Sequence, residues 1–197
     1  MTLVGLMRLK VGVGIMRIKN PPLILDNTVV SRFAIIRRFD ILHNLYEKKL
    51  IIPTNVISEA IVIQVAEKSI QDAINKGWIE EYTLDFTTGQ AELKEYAKLR
   101  RRFGEGESAV MAVAKTWGCA LASDDLRATK KYCENNNIEH VGCLGILYDA
   151  YVSGIITLSE GDTLLSEMIN NTEYKCPVTK FHQIIDWFEN KIGNKLY

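Results

Sequence analysis

Short apolar runs alternate with longer helical patterns along most of this chain, and this alternation limits the fold more than any other feature. The runs lie at residues 23–25, 50–52, 78–82, 119–122 and 138–141. Short strands joined by helices predict the α/β class, with a parallel sheet that helices cover on both faces. In such sheets ligands bind beyond the carboxyl ends of the strands. Functional residues are therefore expected just after the apolar runs.

The length of the chain, 197 residues, fits one domain with appendages. Residues 1–20 form an N-terminal extension, in which residues 9–15 alternate between apolar and other side chains as a strand does. Residues 21–155 contain the α/β alternation. Residues 156–197 predict a C-terminal helical extension of two helices, the first capped by Ser159.

Composition and charge pattern predict a cytoplasmic protein without a membrane segment. The chain is 47% hydrophobic and 24% charged, and its formal net charge is zero. Arg8, Lys10 and Arg17 interrupt the apolar N-terminal stretch, which therefore does not match a signal peptide. A neutral chain does not attract nucleic acid through its overall charge, but it still allows a local basic patch.

Four acidic residues interrupt patterns that otherwise predict buried core. They are Asp26, Glu59, Glu107 and Asp125. Asp26 and Asp125 follow apolar runs, while Glu59 and Glu107 lie on apolar stripes of predicted helices. A buried carboxylate is costly unless it binds a metal or pairs with a cation. The positions of the four acids therefore predict that they converge in one crevice.

The chemistry of such a crevice is that of an oxygen-ligand metal site. Clustered carboxylates repel one another, and oxygen ligands suit Mg²⁺ or Mn²⁺. The four cysteines show no metal-binding spacing, which disfavours zinc. A metal that activates water and polarises a phosphoryl oxygen would support hydrolysis of a phosphate ester.

Several of these segments resemble the successive motifs of PIN-domain proteins, including archaeal PIN proteins and VapC-type toxins. The segments are DNTVVSRFA, PTNVISEAI, GEGESAVMAVAKTWGCALASDDLRA and VGCLGIL. The resemblance covers roughly residues 22–155, and the order and spacing of the motifs are more specific than any single one. It implies a Rossmann-like sheet and a metal-dependent endoribonuclease that hydrolyses RNA.

Carried over position by position, the resemblance assigns the acids of the family, as catalytic and metal-binding residues, to Asp26, Glu59, Glu107 and Asp125. Thr28 and Ser123 take the places of supporting hydroxyls. Glu105 is a rival of Glu107, and Asp124 is a rival or additional metal ligand beside Asp125, because a shift of one or two residues fits the pattern as well. The acids also have structural interpretations, since Glu107 suits a helix N-terminus and the Asp124–Asp125 pair suits a helix cap.

Basic residues near two of the acids are candidates for contacts with substrate phosphates. They are Arg100, Arg101, Arg102 and Arg127. The alternative is that they form a solvated helix face, which is the commoner role of such charge runs.

Three other functions remain open on the sequence alone. A haloacid-dehalogenase-like phosphatase also has an aspartate after its first strand, but it needs a second aspartate where this chain has Thr28. A PIN-like module that binds RNA or protein without cutting is the second alternative, although the complete set of acids argues against a loss of catalysis. A DNA-directed nuclease is the third alternative, because nothing in the sequence recognises a 2′-hydroxyl.

The expected partners are RNA and a second copy of the chain. The resemblance favours a homodimer, because PIN proteins commonly pair, and the apolar residues of the last helix offer a surface for pairing. It also raises an antitoxin protein as a partner, with the chain acting either as the toxin of a pair or as an RNA-processing enzyme.

Overall fold

We analysed a computed structural model of the chain, which describes residues 18–47, 49–60, 64–85, 87, 90–125, 127–172 and 174–193. The strand predicted at residues 9–15 lies outside these residues. None of the helices in the described part of the chain is long and apolar enough to cross a membrane.

Five parallel strands form one sheet in the order β3-β2-β1-β4-β5. Their bounds are β1 Leu23–Leu25, β2 Leu50–Pro53, β3 Glu80–Tyr82, β4 Ala120–Ala122 and β5 His140–Val141. Every residue of β1, β2 and β4 is buried, which requires that both faces of the sheet are covered. The predicted α/β fold with a parallel sheet is confirmed.

Ten helices flank the sheet in the part of the chain that the structure describes. They are α1 Asn27–Ile35, α2 Phe39–Tyr46, α3 Thr54–Ala60, α4 Gln64–Asn75, α5 Gln90–Leu99, α6 Glu105–Trp117, α7 Thr129–Asn136, α8 Cys143–Val152, α9 Leu158–Asn171 and α10 Phe181–Gly193. The central helix is α6, which contacts β1, β2 and β4 as well as α3, α5 and α7. Its buried residues are mainly small, and Ala109, Ala112 and Ala114 let its backbone lie close to the sheet.

The order of the strands reverses between β1 and β4. After β1 the chain adds β2 and β3 on one side, and it then crosses to add β4 and β5 on the other. Leu25 pairs with Ala122, so the residues after β1 and after β4 leave the sheet side by side. Asp26 extends this ladder, because its N–H donates to the carbonyl of Ala122 at 3.0 Å. This reversal is where parallel sheets usually bind ligands.

The C-terminal helices pack on the rest of the domain. α9 contacts α1, α8 and α10, and α10 contacts α8. Ile184 and Phe188 of α10 are buried, while Trp187 is 53% exposed. The predicted cap at Ser159 is wrong, because Thr157 caps α9: its hydroxyl accepts from the N–H of Glu160, and the Glu160 carboxylate accepts from the N–H of Thr157.

The exposure of Glu59 differs from what its place on a predicted apolar stripe implies. The stripe puts Glu59 where a core residue is expected, but Glu59 is exposed, whereas Val56 and Ala60 are buried. The structure describes α3 over Thr54–Ala60 and α4 over Gln64–Asn75.

Candidate active site

Asp26 is a buried carboxylate fixed by two hydroxyl groups. It is 5% exposed and lies between the end of β1 and the start of α1. Its Oδ2 accepts hydrogen bonds from Thr28 Oγ1 at 2.7 Å and from Ser123 Oγ at 2.8 Å. Ser123 follows β4, so the carboxylate joins the two strands on either side of the sheet's reversal. These bonds orient Asp26 without neutralising its charge.

The same hydroxyls fix the loop that carries the next two acids. The N–H of Asp124 donates to Thr28 Oγ1 at 3.0 Å, and the N–H of Asp125 donates to Ser123 Oγ at 3.1 Å. Asp125 Oδ1 in turn accepts from the N–H groups of Arg127 and Ala128 at 2.7 and 3.0 Å. These bonds close the turn before α7, but the N-cap of α7 is Ala128 and no side chain caps the helix, so the expected cap at Asp125 is not found.

Asp124 differs from its neighbour because both of its oxygens have strong partners. Its Oδ2 forms an ion pair with Nη1 of Arg32, and its Oδ1 accepts from the N–H of Cys143 at 2.9 Å. The side chains of Arg32 and Asp124 are only 15% and 10% exposed. Arg32 also donates to the carbonyl of Thr28 at 2.8 Å, and its guanidinium lies 4.2 Å from the ring centre of Tyr174. These contacts make Asp124 a structural partner of Arg32.

Glu107 faces the acids from the first turn of α6. Burial raises the pKa of Glu107 most, and the carboxylates of Asp125 and Asp26 raise it further. The hydroxyl of Thr129 donates to Glu107 Oε1 at 3.4 Å, a long bond. The carboxylates that follow β1 and β4 therefore act electrostatically on the acid in the first turn of α6.

Glu105, the rival of Glu107, is directed elsewhere. Its side chain is 62% exposed and accepts from Arg100 at 3.2 Å. Glu107 is therefore the acid of this helix that suits the site.

Glu59 contacts the start of α6. Its Oε1 accepts from the N–H of Gly106 at 2.8 Å, where a carboxylate is also favoured by the helix dipole. A side chain at position 106 would overlap this carboxylate, so the contact requires glycine. Asp125 and Asp26 are the carboxylates that raise the pKa of Glu107, and Glu59 is not among the groups that do so. The structure therefore places Glu59 beside the site without showing that it joins the other three acids.

The predicted basic residues lie on the surface. Arg100, Arg101, Arg102 and Arg127 are all exposed. Arg100 is partly occupied, since it pairs with Glu105 and donates to the carbonyl of Phe103. Their exposure is compatible with both expected roles, contact with a phosphate and simple solvation.

Comparison with known families identifies the fold and its activity class. The family model described as a PIN domain matches residues 22–190. This chain belongs to the PIN-domain family. No curated protein matches the chain as a relative. PIN domains are generally nucleases and typically use divalent metals. Membership in the family therefore makes this chain a nuclease-like protein.

The acids of this PIN domain fit a hard cation in donor type and charge. Among the residues that the structure describes, no three His, Cys, Asp or Glu side chains are close enough to hold one ion. Mg²⁺, however, commonly uses one or two carboxylates and keeps several waters. Asp26 and Asp125 come from adjacent strand ends, and Glu107 is close enough to feel both charges. A cation among them would relieve the repulsion that raises the pKa of Glu107.

Sequence patterns did not identify Arg32 or Tyr174 as part of this PIN-domain site. Arg32 lies on α1 and pairs with a residue 92 positions away, and Tyr174 comes from the segment between α9 and α10. The available signal was an acid directly after a buried strand, because a buried carboxylate is costly unless a cation pairs with it.

Proposed function

We propose that this PIN domain is an endoribonuclease that hydrolyses RNA phosphodiester bonds with a water activated by Mg²⁺ or Mn²⁺. The observation that carries the proposal is the approach of Asp26, Asp125 and Glu107 at the reversal of the sheet. The bound metal would lower the pKa of water and stabilise charge on the phosphate. Asp26, Glu107 and Asp125 are the proposed ligands. Glu59 is proposed as a residue that positions the start of α6, and a role as a further ligand is the alternative.

The surrounding residues hold this arrangement in place. Thr28 and Ser123 orient Asp26, and both also receive an N–H from the loop after β4. Arg32 neutralises Asp124, so one fewer negative charge repels an approaching phosphate.

The proposed reaction is tested with labelled single-stranded RNA and DNA in Mn²⁺, in Mg²⁺ and in EDTA. RNA should be cleaved only with metal, and Asp26→Asn should reduce the rate by orders of magnitude. Glu107→Gln and Glu105→Gln form a matched pair on the first turn of α6, and only the former should lose activity. RNA binding without cleavage under all conditions would favour the non-catalytic module. Faster cleavage of DNA would favour the DNA-directed nuclease.

The phosphatase alternative receives no support from the site. In that chemistry an acid must stand two residues after the nucleophilic aspartate, but Thr28 holds this place and donates its hydroxyl to Asp26. Hydrolysis of a simple phosphate monoester at a rate above that of RNA would reverse this assignment.

We propose that Arg100, Arg101, Arg102 and Arg127 contact phosphates beside the cleaved bond. Alanine at the first three positions should weaken RNA binding and reduce its dependence on salt. Equal affinity and an equal salt dependence would show instead that these residues form a solvated face.

We further propose that the protein forms a homodimer. Trp187 and Leu158 are large apolar side chains that remain 53% and 44% exposed on α10 and α9. Ile184 and Phe188 of the same helix are buried within the chain, so a partner would contact its remaining apolar residues. Light scattering at micromolar concentration should give twice the mass of the chain, and the mass of one chain would contradict the dimer.

Two biological roles match the proposed reaction, a toxin with an antitoxin partner and an RNA-processing enzyme. Induced expression in a bacterial host separates them. Growth arrest that disappears with Asp26→Asn would indicate a toxin, while growth that continues despite active enzyme would indicate processing.

A further inference from the structure

A second cleft lies at the edge of the sheet opposite to the acids. Its volume is about 570 Å³, within the range of ~300–1,000 Å³ that is typical of small-molecule sites. Arg37 follows the end of α1, which begins at the acidic edge, and Trp78 precedes β3. Both therefore lie at the amino ends of the strands, away from Asp26.

The side chains that line the cleft carry a net positive charge. Arg37, Lys68 and Lys76 line it, and none of them takes part in the ion pairs found among the described residues. The aspartate at position 40 also lines the cleft, but Arg38 binds both of its oxygens at 2.9 and 3.2 Å. A concave surface with three such cations concentrates the field and attracts an anion.

An aromatic ring stands in the wall of this cationic cleft. One face of Trp78 stacks on His43, with ring centres 5.0 Å apart and an angle of 12° between the planes. Lys76 lies over the ring with its Nζ 4.4 Å from the centre. Lys76 is exposed, so it is free to move from the ring to an anion. Because Trp78 lines the cleft, departure of Lys76 would make its ring available to a ligand.

One acidic acceptor lies among the cations. Asp72 follows Lys68 by one helical turn on α4 and precedes Lys76 by another, so the three side chains share one face. No ion pair found in the described part of the chain engages Asp72. A site for inorganic anions gains nothing from a carboxylate, whereas a sugar hydroxyl needs such an acceptor.

We propose that this cleft binds a nucleoside phosphate. Lys68, Lys76 and Arg37 bind the phosphate, Asp72 accepts a hydrogen bond from a ribose hydroxyl, and the base stacks on Trp78. Movement of Lys76 to the phosphate exposes the ring for the base, and stacking of a base is stronger than an exposed cation–π contact. The ligand combines negative charge, hydroxyl groups and a flat ring, which are the three features that the cleft accommodates.

A free nucleotide and a nucleotide unit of an RNA strand share this chemistry. The test uses both AMP and a short single-stranded RNA, each titrated in EDTA and followed by tryptophan fluorescence and calorimetry. Binding in EDTA does not require the proposed cleavage, so failure here and failure of the nuclease reaction are distinguishable.

AMP should bind and quench fluorescence, and the quenching should persist in Trp187→Phe, which removes the most exposed tryptophan. The double variant Lys68→Gln/Lys76→Gln should weaken binding at least tenfold. Lys175→Gln/Lys180→Gln, which changes two exposed lysines outside the cleft, should leave binding unchanged. Ribose 5-phosphate should bind more weakly and without quenching.

If RNA binds tightly and AMP does not, the cleft binds a nucleotide unit of an RNA strand. If AMP binds as tightly as RNA, the cleft binds free nucleotides. Three results would overturn the proposal. They are no binding of either ligand, equal affinity in the Lys68/Lys76 variant, and displacement of AMP by an acidic peptide as effectively as by a second nucleotide.

Discussion

Asp26 follows β1 and contacts the loop after β4, whereas Glu59 in α3 contacts the start of α6. The two acids are held by different kinds of group. Asp26 is buried and accepts from two hydroxyls that also bind the loop after β4. Glu59 is exposed and accepts one backbone N–H from Gly106. The strand-end acid is positioned by the register of two paired strands, whereas the helix acid is positioned by a single cap contact. The first arrangement is more rigid and suits catalysis better.

Asp124→Asn should produce the largest change in stability within the strand-end group. The substitution leaves Arg32 largely buried without its ionised partner, and breaking such a pair costs about 3 kcal/mol of unfolding free energy. Denaturant unfolding of the metal-free protein measures this loss. Asp125→Asn is the matched control, because the asparagine oxygen can still accept from the N–H groups of Arg127 and Ala128, and its stability should change little. A loss of stability in Asp125→Asn equal to that in Asp124→Asn would contradict the different roles assigned to the two acids.

Glu107 should give the metal-free protein a characteristic dependence on pH. Its pKa in the folded state is raised, by burial first and then by Asp125 and Asp26, so the folded state holds its proton to higher pH than the unfolded state. This contribution to stability is present below the ordinary glutamate pKa of ~4.3 and is lost as pH rises through the raised pKa.

Denaturant unfolding of the wild type and of Glu107→Gln at a series of pH values, from below the ordinary glutamate pKa upward, measures this loss of stability. The loss should be smaller than the loss caused by Asp124→Asn. The stability of Glu107→Gln should not fall as pH rises through this range. At pH values above the raised pKa of Glu107, the variant should be more stable than the wild type. With Mn²⁺ present, the wild type should instead gain stability as pH rises, because the metal binds the ionised carboxylates. An unchanged pH dependence in Glu107→Gln would remove Glu107 from the cluster.

Glu59→Gln should have the smallest effect. Glutamine can still accept from the N–H of Gly106, and it removes only the favourable charge at the start of α6, which is worth about 0.3–1 kcal/mol. Unfolding and RNA cleavage should therefore both stay close to wild type. A loss of activity as large as that of Asp26→Asn would show that Glu59 is a metal ligand, and the contrast between the two regions would then be wrong.

The sheet and the strand-end acids were accessible from sequence because both depend on local patterns. An apolar run such as residues 119–122 predicts a buried strand, and its end fixes where Ser123 and Asp125 emerge. The exposure of Glu59 was not accessible in the same way, because the spacing of its stripe suggested a core position, whereas its side chain is exposed.

Contacts between distant segments were not predictable in the same way. The pairing of Arg32 with Asp124 spans 92 positions, and the packing of Tyr174 on Arg32 depends on the path between α9 and α10. The cleft beside Trp78 likewise joins residues of α2 and α4 with the segment before β3. Such sites arise from tertiary packing, which no periodicity in the chain records.

Calorimetric titration of Mn²⁺ into the wild type and into Asp26→Asn tests the central claim most directly. The claim is that Asp26, Glu107 and Asp125 together hold a divalent metal, and it predicts that Asp26→Asn weakens Mn²⁺ binding at least tenfold. Because the substitution relieves repulsion among the acids, the variant should remain folded and be at least as stable as the wild type without metal. Unchanged Mn²⁺ affinity in a folded Asp26→Asn protein would contradict the claim.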